Sequence, residues 1–144
     1  MARLRRLLPA TSDAVHAGIG DDCAAVAGGK QGVLVLLKTD CVVEGRHFLA
    51  SDASSAVGWK AACRAVSDIA ACGGESRFAL VTCVLQHAQT GRWLEGLYRG
   101  LSRAARVYQF EIVGGELART DGPAMISVAM TGEVLRRKFV PRGG

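Results

Sequence analysis

Four short stretches of this chain carry oxygen donors in settings that suit a cation. Gly18-Ile19-Gly20-Asp21-Asp22 sets two glycines around one apolar residue and runs straight into two adjacent carboxylates. Thr39-Asp40 closes an apolar run, Gly114-Gly115-Glu116 follows another, and Asp68 stands on a stretch of helical spacing. Neighbouring carboxylates repel each other unless a cation, a hydrogen-bond donor or water stands between them. Glycines let the backbone approach a ligand closely. Carboxylates gathered from several element ends form a multi-oxygen Mg2+ site, and the glycines leave room for phosphate oxygens on the same metal. The chemistry implied is phosphoryl transfer or nucleotide activation. Each stretch also has a plainer reading: Gly, Asp and Thr are ordinary turn residues, and Asp68 alone fits a solvated helix position. It is the conjunction that favours a site.

Other chemistries find no support. The chain has no G-x-x-x-x-G-K-S/T loop, no G-x-G-x-x-G, no G-x-S-x-G elbow and no H-E-x-x-H. His47, between Arg46 and Phe48, reads on its own as a packed or surface histidine.

The elements that must position these residues follow from periodicity. Residues 1–17 lack a strong period and suit an N-terminal arm or short helix. Val33-Leu34-Val35-Leu36-Leu37 is short and continuously apolar, the pattern of a strand covered on both faces. From about Ala56 to Cys72, Trp59, Ala62, Val66 and Ile69 recur at helical spacing, and Gly73-Gly74 supplies the stop. Phe78 to Leu85 reads as a second buried strand. Thr90 caps a helix running to about Tyr108, with Trp93, Leu97, Leu101 and Ala104 on its apolar side. Phe110 to Val113 is a short strand, and 124–134 a last one with alternating faces. The order predicts an α+β or α/β sandwich, one sheet with helices packed on it.

The chain of 144 residues is one domain by size, with 49% apolar and 22% charged residues, a globular balance. Its net charge of +5 suits an anionic partner. The few aromatics do not interleave with the basic residues, so neither a nucleic-acid partner nor a stacking platform is expected. Five separated cysteines without a C-x-x-C pair predict reduced thiols and a cytoplasmic setting. No apolar run approaches the roughly 20 residues of a membrane span, and Leu7-Leu8 is too short for a signal segment.

Taken together, Gly18-Ile19-Gly20-Asp21-Asp22-Cys23-Ala24, Thr39-Asp40 with Gly45-Arg46-His47-Phe48, Gly58-Trp59-Lys60-Ala61 leading to Ser67-Asp68-Ile69-Ala70-Ala71-Cys72-Gly73, and Gly114-Gly115-Glu116 resemble the N-terminal half of the thiamine-monophosphate kinase family. That family belongs with aminoimidazole ribonucleotide synthetase, selenophosphate synthetase and the hydrogenase maturation protein. The resemblance runs in order over about residues 18–137. It implies ATP- and Mg2+-dependent phosphorylation of thiamine monophosphate to the diphosphate, within thiamine diphosphate biosynthesis. By position it makes Asp22, Thr39, Asp40, Asp68 and Glu116 metal ligands, His47 a substrate contact, and Tyr98, Gly115 and Arg137 nucleotide contacts. No residue is implied as a catalytic base, because a phosphate acceptor is already an anionic nucleophile.

The family fold implied is an α/β structure whose N-terminal domains pair in a homodimer, their sheets closing into a barrel. Residues 18–135 would be that ATP- and Mg2+-binding domain, and residues 136–144 the start of a connector to a second domain. Three positions depart from the family wording: Lys38 replaces a hydroxyl residue, Ala65 an asparagine and Glu116 an aspartate. Two alternatives therefore stand beside the kinase: a relative acting on another phosphorylated substrate, and a non-catalytic dimerisation or nucleotide-binding module.

Overall fold

A computed structural model describes residues 6–143. Six strands form one mixed sheet: β1 (Val15–Ala17), β2 (Ala24–Ala27), β3 (Val33–Val43), β4 (Glu75–Leu85), β5 (Glu111–Arg119) and β6 (Met125–Leu135). Their order is β1-β2-β3-β6-β4-β5, and only the β4–β5 pair is parallel. Two helices, α1 (Ser54–Ala71) and α2 (Gly91–Tyr108), connect β3 to β4 and β4 to β5. This is the expected α+β fold, with the helices on one face of the sheet. Neither helix is long and apolar enough to cross a membrane.

Helix α1 ends where the glycines predict. Gly73 takes φ +76°, its N–H bonds Ala70 O at 2.9 Å, and the Gly74 N–H bonds Ile69 O at 3.0 Å, so the last carbonyls find partners. Thr90 caps α2, accepting the Trp93 N–H at 3.4 Å. The core lies between helices and sheet: Ile69, Leu97 and Leu101 meet Leu36, Val81, Ile126 and Val128, all essentially without solvent contact.

The two helices touch through glycines. A Cβ on Gly100 would lie 1.9 Å from Ser55 O, and one on Gly58 would lie 2.1 Å from Leu97 O. Backbone cannot yield as a side chain can, so Gly100→Ala must push the helices apart. We expect a loss of ~1–3 kcal/mol, the usual cost of overpacking. Urea unfolding monitored by circular dichroism measures it, and a change below ~0.5 kcal/mol would sink the idea.

Several sequence expectations need correction. Val15–Ala17 is an edge strand rather than arm or helix, and residues 1–5 of that arm lie outside the described residues. Thr39-Asp40 does not close β3, which continues to Val43 with an unbroken ladder to β6, from Val33↔Leu135 to Val43↔Met125. Likewise Gly114-Gly115-Glu116 lies inside β5, opposite Leu80, Val81 and Thr82 of β4. Polar side chains read as strand ends because an apolar run stops there, yet the ladder bonds are backbone bonds and continue beneath them.

The remaining difference concerns coverage. β3 and β4 read as strands buried on both faces, but only the helix side is covered. On the open side Leu37, Phe78 and Leu80 are 43–49% exposed, joined by Val113 on β5. A shallow apolar depression of about 440 Å3 runs among them, beside Thr39 and Ala129.

Candidate functional site

The helix side of β3 is interrupted by charge. Alternation places Leu34, Leu36, Lys38, Asp40 and Val42 on that face and Thr39 on the other. Opposite Lys38 and Asp40, α1 presents Lys60, Arg64 and Asp68, four residues apart and hence on one helix face. Between strand and helix opens a cleft of about 610 Å3 lined by Lys38, Asp40, Lys60, Arg64, Ser67 and Asp68. The Gly18–Asp22 loop, between β1 and β2, borders it. Gly20 there takes φ +117°, a conformation that favours glycine, and the Asp21 N–H closes a turn on Gly18 O at 3.1 Å.

Asp22, Asp40 and Asp68 each have a cationic partner, and Asp21 accepts a backbone N–H. Lys38 Nζ sits on Asp68 Oδ2 and also donates to the Asp22 carbonyl at 3.1 Å. Arg64 bonds Asp40 Oδ1 at 3.0 Å, and the same oxygen accepts the Cys41 N–H at 2.8 Å. Arg142 comes back from the C-terminal segment: its N–H bonds Asp21 Oδ1 at 2.7 Å, and its guanidinium bonds Asp22 Oδ1 through Nε at 3.1 Å and through Nη2. Partial burial works against the charge on Lys38, but the hydrogen bond and charge of Asp68, then the charge of Asp40, outweigh it and hold its pKa above the usual lysine value. Arg64 Nε is buried without a partner among the described residues.

His47 stands in the loop after β3, its Nδ1 accepting the Val43 N–H at 3.1 Å. Its neutral ring therefore carries the proton on Nε2. Lys60 Nζ donates to the His47 carbonyl, tying this loop to the cleft.

The other site residues lie apart from this cluster. Thr39 faces the open side of the sheet, its Oγ1 at 3.4 Å from Ser127 Oγ. Glu116 is exposed on β5, and the chain of ladder partners from it runs through Thr82 and Ser127 to Cys41. Three strand spacings of ~4.8 Å put it roughly 14 Å from β3. Tyr98, half-exposed on α2, lies near Cys83 of β4, and burial raises its pKa. Gly115 lies on β5 opposite Val81 of β4, where a Cβ would lie 1.8 Å from Val81 O, so strand packing itself requires glycine. Arg137 lies beyond the far end of β6, in the 3-10 turn Arg136–Lys138. Among the described residues no three His, Cys, Asp or Glu side chains converge closely enough to hold a metal ion.

Sequence reasoning missed Arg64 and the partner role of Arg142. The four-residue spacing of Lys60, Arg64 and Asp68 is the signal that would have found the first. For Arg142 no local signal exists, because its partner is 120 positions away.

An α+β domain with a charged cleft beside a glycine-rich acidic loop is what fold and site define. The chain belongs to the family described as AIR synthase related protein, N-terminal domain, whose model matches residues 20–134. Among named relatives it is similar to the thiamine-monophosphate kinase of Aquifex aeolicus (strain VF5), with 40% identity over 126 residues, covering 88% of this chain and 40% of the relative. To the thiamine-monophosphate kinase of Bacillus subtilis (strain 168) the identity is 34% over 121 residues, covering 83% and 37%. The solved structure of AaThiL complexed with AMPPCP and TMP matches with a TM-score of 0.80 and 39% identity, covering 91% of this chain and 40% of that one. The chain thus spans about 40% of the length of the relatives it matches.

Proposed function

We propose that this domain is the phosphate-binding part of an ATP-dependent phosphotransferase that converts thiamine monophosphate to thiamine diphosphate. The observation that carries the reading is the cleft itself, where Lys38, Lys60 and Arg64 meet Asp40 and Asp68 beside the glycine-rich loop. Kinship with thiamine-monophosphate kinases, one of them solved with an ATP analogue and TMP, supports the choice of donor and acceptor. In the reaction the γ-phosphoryl group passes to a phosphate oxygen of the acceptor and ADP leaves. Both reactants are anions, so cations must offset their repulsion and hold them in line, and no general base is needed. Lys60 and Arg64 serve that purpose from α1. His47 presents its free Nε2–H to the acceptor, while Tyr98, Gly115 and Arg137 are assigned to the nucleotide.

The donor set does not fit a closed Mg2+ site. Asp22, Asp40 and Asp68 are each bonded to a basic side chain, and Thr39 and Glu116 lie elsewhere. Asp22 and Asp40 are the carboxylates we assign to Mg2+, because their partners Arg142 and Arg64 have side chains 65% and 40% exposed and are free to swing away. Bound there, the ion would neutralise phosphate charge.

We further place the protein in the cytoplasm, where the five free cysteines stay reduced. We also assign it a homodimer formed through the open sheet face. Strands whose sequence suits burial on both sides, yet which are covered on one, support that pairing.

Calorimetric titration with ATP and Mg2+ tests the central reading. The wild-type chain is expected to bind, and Asp22→Ala to bind at least about tenfold more weakly with its fold intact. Unchanged binding would mean that the loop is not a nucleotide loop. A second reading, a module that binds nucleotide without transferring phosphate, is favoured by Arg142 closing over Asp22. It predicts binding with no ADP release when thiamine monophosphate is added.

A further inference from the structure

We infer that the Lys38 ammonium is a resident cation standing in for a divalent metal ion between Asp68 and the Gly18–Asp22 loop. The inference rests on reading these carboxylates as the cation-binding part of the site, but its test needs no nucleotide.

Three observations carry it. Lys38 Nζ contacts an Asp68 carboxylate oxygen and the Asp22 carbonyl together, joining α1 to the loop as a bridging ion would. Its backbone is fixed in the middle of a strand, paired with Met130 of β6, so the ammonium is delivered from a rigid base. Its side chain is only 18% exposed, far less than Arg64 or Arg142, and so it is not a displaceable surface partner.

A divalent ion at this corner would compete for the Asp68 oxygen that the ammonium already holds, and it would meet a like charge in direct contact. An ammonium offers three donors and no acceptor, and among the described residues two of these donors are used. The third remains for a phosphate oxygen. Lys38 therefore converts a metal corner into a direct anion contact, and the site as a whole takes up fewer divalent ions than its count of carboxylates suggests.

Mn2+ alone is the probe, with free ion followed by its paramagnetic resonance. Wild-type protein is compared with Lys38→Thr and with Lys38→Gln, which keeps most of the length without the charge. Each variant is expected to take up one additional Mn2+ per chain, or to bind it roughly tenfold tighter. Adding Asp68→Asn to either variant is expected to abolish the gain. Equal uptake by wild type and variants would overturn the inference. Should neither variant fold, Asp68→Asn in the otherwise wild-type chain decides: unchanged Mn2+ uptake is expected, and loss of a bound ion would overturn the proposal. Failure to bind ATP would count against the phosphotransferase reading and leave these outcomes unaffected.

Discussion

Leu80→Asp is expected to separate the proposed homodimer into monomers without unfolding either copy. Leu80 lies on the open side of β4 and is 49% exposed, so a carboxylate there stays solvated in the single chain. In a pair of sheets packed face to face it would be buried among Leu37, Phe78 and Val113 with no partner. An unpaired polar group so placed costs about 3 kcal/mol even by the moderate mutational scale, and a charge costs more. Dissociation should therefore strengthen by on the order of a hundredfold or more. Sedimentation at tens of micromolar protein reads the result, with circular dichroism confirming the fold. A wild-type chain that is itself monomeric there would remove the dimer from the account. A dimeric Leu80→Asp would move its interface to another face.

Alkaline pH is expected to weaken the fold steeply, and the two most strongly shifted buried thiols are the main reason. Burial, reinforced by Cys72 alongside, pushes the Cys23 pKa from 9.0 up to about 12. Burial alone pushes Cys83 up to about 11. Below pH 9 both states keep these protons and nothing is lost. Above it the unfolded thiols ionise while the folded ones do not, so the unfolded state binds fewer protons and stability falls. Each thiol contributes a slope of about 1.4 kcal/mol per pH unit until its folded pKa is reached. Over pH 9 to 11 the two together remove on the order of 4 kcal/mol, comparable with the lower end of the 5–15 kcal/mol typical of a domain. Urea midpoints at pH 8, 9.5 and 10.5 under reducing conditions measure the slope. Cys23→Ala combined with Cys83→Ala should make it markedly shallower, with burial of Cys63 and Cys72 sustaining the remainder, and an unchanged slope in that variant would refute the cause.

The helices were legible because their signals are local. Apolar spacing, the Thr90 cap and the Gly73 stop all act within one or two turns. β1 and β2 were not, because strands of only three and four residues, built of Ala, Val and His, carry too little periodicity. The lengths of β3 and β5 were underestimated for a different reason. Lys38, Asp40 and Glu116 look like boundaries, yet a strand ladder is made by backbone groups and tolerates any side chain its surroundings can accommodate. In the cleft, Asp40 was singled out from an apparent strand end that proved to be mid-strand, and Asp68 from its place on a helical stretch. Their partners were mostly hidden, since an ion pair such as Arg142–Asp22 exists only once distant segments meet.

The alternation along β3 has a consequence for the drift of related sequences. Successive residues of this strand serve different ends: Leu37 and Thr39 line the oily outer face, while Lys38 and Asp40 line the charged cleft. A single inserted or deleted residue before Leu37 would exchange the two sets, turning ammonium and carboxylate outward and leucine into the cleft. Substitutions can accumulate in β3 one at a time, but changes of length cannot. Length variation should instead collect in the 28–32 turn, where an added residue only lengthens a surface loop.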